Sequence, residues 1–171
     1  MRELFTIDRK DYTSEMKLYI RPSARAIIIK DKKVALVYSK KYDYYKFPGG
    51  GIKENESKID ALIREVKEET GLIVIKESIN SYGKVLRIQK LDNDSVFYQE
   101  NYYYLCDVVD KIELQNLDDY EKDEEFTLVF VDPVTAIVKN LSSIKDTIRG
   151  VMIERDVRVL KVLIEEGVIL K

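Results

Sequence analysis

The chain has 171 residues, with 29 Lys and Arg against 31 Asp and Glu, a formal net charge of −2 and an apolar fraction of 45%. That size and balance describe one folded domain with a real core, and they exclude a disordered chain and a basic nucleic-acid footprint. Histidine is absent and cysteine occurs once, at Cys106, which excludes Ser-His-Asp and Cys-His chemistry and zinc sites built on His or several thiolates. Chemistry therefore falls to carboxylates, Lys, Arg, Tyr, Ser/Thr or backbone, and so many carboxylates point to hard cations held by oxygen. No apolar run reaches the roughly 18 residues of a membrane span. Residues 1–8 carry no apolar leader core, so a cytoplasmic protein is expected.

In chain order, Ser23 to Lys30 reads as a strand, Asp31-Lys32-Lys33 as a turn and Val34 to Ser39 as the returning strand, a hairpin. A short aromatic stretch, Tyr42 to Phe47, ends at Pro48-Gly49-Gly50-Gly51, a loop that needs unusual dihedrals or close backbone approach. Ser57 to Thr70 reads as a helix, because Ile59, Leu62, Ile63 and Val66 recur at i, i+3, i+4, i+7 and Gly71 stands where a C-cap glycine belongs. Leu72 to Ile75, Val85 to Leu91 and the Tyr-rich Val96 to Val109 read as strands, followed by an acidic loop from Asp110 to Glu124. Phe126 to Val131 is a further strand. Asp132-Pro133 opens a helix towards Leu141, and Gly150 to Glu166 is a second long helix. Strands with a few interspersed helices indicate an α/β (α+β) sandwich with a mixed sheet.

The chemistry lies between Gly50 and Leu72. Glu65 is i, i+3 from Glu68 and i, i+4 from Glu69, so the three acids are neighbours on one helix flank. Each like-charged pair costs roughly 0.2–0.5 kcal/mol, and the acids sit near the helix C-terminus, where the dipole disfavours them. A divalent cation would reverse both penalties, and oxygen ligands select Mg²⁺, Mn²⁺ or Ca²⁺. On the helix alone, a solvated face diluted by Arg64 and Lys67 is the simpler reading. It leaves Gly49 to Gly51, Glu56 and Gly71 unexplained.

Gly50, Glu56 and the run Arg64-Glu65-Val66-Lys67-Glu68-Glu69-Thr70-Gly71-Leu72 together resemble a complete Nudix box, matching nine defined positions over 23 residues. Phe47-Pro48-Gly49-Gly50 resembles the approach to that box, with Phe47 where Trp is usual. The resemblance implies a Nudix-like mixed β-sheet sandwiched between helices. We expect one domain over 1–171, with an N-terminal extension at 1–20 and a C-terminal helix at 142–171 packing on it; a homodimer contact is that helix's second reading. It also implies hydrolysis of a nucleoside diphosphate linked to another moiety, with Mg²⁺ (or Mn²⁺) held by Glu65, Glu68, Glu69 and the Gly50 carbonyl, and with Glu68 or Glu69 acting on water. Glu56, Arg64 and Gly71 match supporting positions.

A further catalytic carboxylate is expected beyond the box. Glu125 is favoured, then Glu124, with Glu121 and Glu100 weaker. Arg25, isolated in a strand, and Lys46, before the glycine loop, are expected to bind substrate phosphate; a rim salt bridge or a snorkelling lysine would explain them equally well. Tyr98, Tyr102, Tyr103 and Tyr104 are read mainly as core or sheet surface rather than as a stacking platform, and Cys106 as a buried apolar residue. The partner is a nucleotide-type small molecule, with no nucleic acid and no membrane. The proline of the family's ADP-ribose subgroup is missing between Pro48 and Pro133, as are the markers of the NADH and dinucleoside-polyphosphate subgroups. A nucleoside triphosphate is left as the favoured substrate. The rivals are a non-hydrolysing nucleotide sensor, which need not keep three metal-binding acids, and a diphosphate isomerase, which the lack of histidine disfavours.

Overall fold

The computed structural model describes residues 1–145 and 147–169; the C-terminal stretch expected at 142–171 thus includes Asp146, Leu170 and Lys171, which lie outside the described residues. The strands are β1 (Glu3–Asp8), β2 (Lys17–Ile20), β3 (Ser23–Ile27), β4 (Ile29–Lys30), β5 (Lys33–Ser39), β6 (Tyr44–Lys46), β7 (Gly49–Gly51), β8 (Leu72–Val74), β9 (Asn80–Lys90), β10 (Ser95–Leu105), β11 (Val108–Ile112) and β12 (Thr127–Val131). The helices are α1 (Lys58–Thr70), α2 (Asp119–Asp123), α3 (Pro133–Ser143) and α4 (Ile148–Glu165). The central sheet is mixed, in the order β1-β9-β10-β3-β7, with β2 also paired to β10. A second sheet runs β12-β5-β4 with β6 beside β5, and β11 pairs with β8. Among the described residues no helix is long and apolar enough to cross a membrane.

Four sequence readings change. The expected Ser23–Lys30 strand divides at Ile28, because its first part pairs with β10 and β7 in one sheet while Ile29 and Lys30 pair with β5 in the other. The hairpin is therefore only two residues deep, and Asp31 and Lys32, both at positive φ (50° and 60°), make its tight turn. The Tyr-rich strand also divides, at Cys106 and Asp107, so that β11 can cross to β8. The acidic stretch 110–124, expected as a loop, contains the end of β11 and the short helix α2. Residues 3–8 and 17–20, within the expected extension, are strands of the central sheet.

Side-chain alternation along β10 builds two cores. Tyr102 and Tyr104 pack with Ala24, Ala26 and the α1 residues Ala61, Leu62 and Val66. Tyr103 faces the other way, with Phe47, Val157, Leu160 and Leu163. The sheet is thus sandwiched between α1 and α4. Tyr102, Tyr103, Tyr104 and Cys106 are all buried, as core residues. Burial raises the Cys106 thiol to about 12, so it stays inert.

Candidate active site

Helix α1 is fixed at both ends. The Ser57 hydroxyl accepts the Asp60 amide, and Gly71 closes the helix at φ 74°, its amide donating to the Lys67 carbonyl. A side chain at Gly71 would strike the Glu113 carbonyl. Between these caps Arg64 acts as a hub. Its Nε and Nη2 fork onto Glu56 at 2.7 and 2.8 Å, its Nη1 reaches Glu65 at 2.6 Å and Glu68 at 3.1 Å, and Nη2 also donates to the Gly51 carbonyl at 3.1 Å. One guanidinium therefore clamps the glycine loop to the helix. Arg64 holds the Glu56 carboxylate down to about 2, and Glu56 in turn keeps the guanidinium above its ordinary value.

Glu65, Glu69 and Glu121 each offer an oxygen, and the three oxygens lie within 4.8 Å of one another. Glu69 is 1% exposed; it takes an ion pair from Lys46 Nζ and a hydrogen bond from the Gly49 amide at 2.9 Å. Burial nevertheless raises its pKa to about 7, with Glu121 adding to the rise and Lys46 and Gly49 opposing it. Glu65 crowds the backbone of Gly50, so a Cβ there would push its carboxylate out of this position. An oxygen-only trio at this spacing suits a hard divalent cation.

Of the four candidates for a further acid, Glu121 is the one that lies beside Glu65 and Glu69. It sits in α2, where the Asp118 amide donates to its Oε2 at 2.8 Å and the Tyr120 hydroxyl to its Oε1 at 3.1 Å. Glu125, the favoured choice, is exposed, has φ 53° and stands outside the cluster. Glu124 is buried but committed elsewhere, accepting from Ser39 and Tyr44 hydroxyls at 2.9 Å each. Glu100 bonds Lys84 and Tyr102 at 2.7 Å. The local sequence did carry a signal for Glu121: Asp118-x-x-Glu121 is the spacing of a helix N-cap box. Glu68 also lies outside the trio, held by Arg64 and partly exposed. The Gly50 carbonyl is turned inward. Ala26 donates to Pro48 and Ile52 to Pro22, each at 2.9 Å, so ladder alternation directs Gly50 at its partner Ala24.

Glu65, Glu121, Glu124 and Gly49 to Gly51 line a cavity of about 650 Å³. Lys46 reaches it, but as the buried partner of Glu69. Arg25 also lines it, although its bonds go to neutral groups: Nε to Asn101 at 3.3 Å, Nη1 to the Phe47 and Gly49 carbonyls at 3.3 and 3.1 Å. The strand arginine therefore braces the glycine loop. The lone acid of the network behind it is Asp156 of α4, which accepts from the Phe47 amide, the Tyr103 hydroxyl and Arg155. Sequence reading passed over Arg155 and Asp156. Asp156 lies three after Ile153 and four before Leu160, so a charge on the apolar stripe was the available sign.

A family model described as NUDIX domain matches residues 20–148. The ADP-ribose pyrophosphatase of Methanocaldococcus jannaschii is 30% identical over 128 residues, covering 71% of this chain and 72% of that protein. The 8-oxo-dGTP diphosphatase of Buchnera aphidicola subsp. Acyrthosiphon pisum is 39% identical over a shorter 64 residues, 37% of this chain and 52% of that protein. Among solved structures, a NUDIX hydrolase from Nitrosomonas europaea superposes with a TM-score of 0.55 at 20% identity, covering 81% of this chain and 88% of that one.

Proposed function

The chain belongs to the Nudix hydrolase family, and on that premise we propose that it is a Mg²⁺-dependent pyrophosphohydrolase whose preferred substrate is a nucleoside triphosphate. The observation that carries this is the meeting of Glu65, Glu69 and Glu121, of which Glu65 and Glu121 line a cavity that also holds basic residues. The three carboxylates would hold the cation. When bound, it neutralises phosphate oxygens, polarises phosphorus and lowers the pKa of water.

The chain's own residues do the rest. Arg64 fixes Glu65 and the glycine loop in one frame. Lys46 and the Gly49 amide hold Glu69, which keeps its carboxylate in a fixed place beside Glu65 and Glu121. Arg25 keeps the Gly49 carbonyl in place. Glu121 reaches the trio from α2, anchored through the Asp118 amide.

A second reading, ADP-ribose as substrate, is favoured by the name and length of the archaeal match. A hydrolysis panel, read as the nucleoside monophosphate released from each substrate, separates the two, with Mg²⁺ present and Glu69→Gln as control. It covers nucleoside triphosphates, oxidised dGTP, dinucleoside polyphosphates, nucleotide sugars and ADP-ribose. Metal-dependent release from triphosphates, lost in the control, is the expected result. Release from ADP-ribose alone selects the second reading. Binding without release of any of them overturns both and leaves a sensor.

A further inference from the structure

Helix α1 ends in carbonyl groups that the helix itself cannot satisfy, and its last turn carries Glu68 and Glu69. One segment supplies the donors. The chain arrives along β11, where Ile112 pairs with Leu72 of β8, and passes over the end of the helix. The Asn116 amide donates to the Glu68 carbonyl, and the Glu113 amide to the Gly71 carbonyl just beyond the helix, each at 2.8 Å. Between them the Gln115 side chain donates to the Glu69 carbonyl.

Gln115 has a second tie. A primary amide carries two N–H donors, and the same Nε2 reaches the Phe126 carbonyl at 3.2 Å. Phe126 is buried, and its own amide donates to the Glu121 carbonyl at 3.0 Å. Gln115 and Phe126 thus bracket α2, and one side chain joins that bracket to the last turn of α1. Glu121, 3% exposed, reaches Glu65 and Glu69 from inside the bracket. The end of α2 is tied separately to β5 and β6, through Glu124 with Ser39 and Tyr44.

Packing does little for the approach to α2. Leu114 is 93% exposed, and no residue from Glu113 to Tyr120 is buried. The ion pair of Lys67 with Glu113 at 2.9 Å lies at the surface, where such pairs contribute little. A segment with few apolar contacts opens locally at small cost. Its hydrogen bonds to α1, rather than a core, therefore decide where Glu121 stands.

From this arrangement we propose that Gln115 is a positioning residue for the acidic centre: by holding the Glu69 and Phe126 carbonyls together, it sets the reach of Glu121 to Glu65 and Glu69. This role rests on the three-carboxylate reading and deepens it. Glu121 comes from a separate part of the chain, and Gln115 holds that part to α1.

The experiment uses Gln115→Met, which keeps the length of the side chain and removes both donors. Mn²⁺ is titrated into the substrate-free protein, and the free ion is followed by electron paramagnetic resonance. Uptake at the acidic centre is the uptake that Glu69→Gln loses. Gln115→Met is expected to weaken that uptake by about tenfold, the usual effect of removing a group that orients a metal ligand. The Tm of the metal-free variant should stay within about 2 °C of wild type, because Gln115 is exposed.

A double-mutant cycle separates positioning from a general structural role. Glu121→Gln should weaken Mn²⁺ uptake at least as much as Gln115→Met does. The double variant should be no weaker than Glu121→Gln alone, because Gln115 then has no third acid to place. Losses that multiply in the double variant overturn the proposal, since Gln115 would then act on α1 and not through Glu121. Uptake that Gln115→Met leaves unchanged also overturns it. A wild-type protein from which Glu69→Gln removes no uptake overturns the three-carboxylate centre and this role with it, so the two failures are told apart. Gln115→Ser takes the place of Gln115→Met if that variant does not fold.

Discussion

The two walls of the cavity solve opposite electrostatic problems. On the α1 side one arginine serves three acids: Arg64 bonds Glu56, Glu65 and Glu68, and its side chain stays 20% exposed. On the α4 side three arginines, Arg25, Arg87 and Arg155, share Asp156, and all are nine-tenths buried or more. The first arrangement is balanced by water and by the clamp itself. Among the described residues, the second has Asp156 as the one acid bonded directly to any of the three. The acidic wall is therefore poised for a cation and the basic wall for an anion, which are the two charges a metal-bound phosphate ester brings.

The largest expected effect comes from breaking the acidic wall. Glu69→Gln and Glu121→Gln should each lower kcat on the order of 10²–10⁴-fold while the far-ultraviolet circular dichroism stays unchanged. Retention of full activity by both would remove the three-carboxylate centre. The next effect breaks the basic wall. Asp156→Leu leaves the Arg155 guanidinium, 0% exposed, without its acid. Breaking a buried pair in this way costs about 3–5 kcal/mol, or a fall in Tm of about 10 °C for a domain this size. Replacing both, Arg155→Met with Asp156→Leu, should recover much of that loss. A double variant no more stable than the single would show that Asp156 acts through Phe47 and Tyr103 rather than through charge.

How much of this was legible in the sequence follows from distance along the chain. The α1 acids and their caps were readable because helix periodicity places them within one turn. Arg25 was noticed because a charge inside a strand is conspicuous. Its partners, the Phe47 and Gly49 carbonyls, were not readable, since only the pairing of β3 with β7 brings them close. Arg87 hid for the same reason: it belongs to the site through its cross-strand place beside Gln99. The divided strands at Ile28 and Cys106 were also hidden. A run of apolar residues looks the same whether it stays in one sheet or crosses to another. Glu121 stood among the weaker candidates because 110–124 was read as loop, whereas α2 turns it towards Glu65 and Glu69.

Acid titration sharpens the comparison at smaller scale. Glu69 has a folded value of about 7 against an ordinary 4.5, so between those values the folded protein binds more protons than the unfolded one. Its contribution is fully present below 4.5 and is lost as pH rises to about 7, by up to about 3 kcal/mol. Glu56 behaves oppositely. Its folded value of about 2 lies below 4.5, so its contribution is present above 4.5 and fades as pH falls towards 2. Metal-free protein should therefore lose Tm between pH 4.5 and 7, and Glu69→Gln should flatten that slope without altering the acid limb. An unchanged slope in the variant would assign the titration to another group.

The smallest expected effect tests where the acidic wall ends. Glu125 follows α2 at φ 53° and is exposed, so its charge is screened by water and contributes little to the field at Glu65 and Glu69. Glu125→Gln should leave kcat/KM within about twofold and stability within about 0.5 kcal/mol. Glu125→Gly relieves a left-handed residue that glycine adopts freely, and should match or exceed the wild-type Tm. A loss of activity in Glu125→Gln comparable to that of Glu121→Gln would mean that the loop after α2 moves inward when substrate binds, and that the acidic wall has four members rather than three.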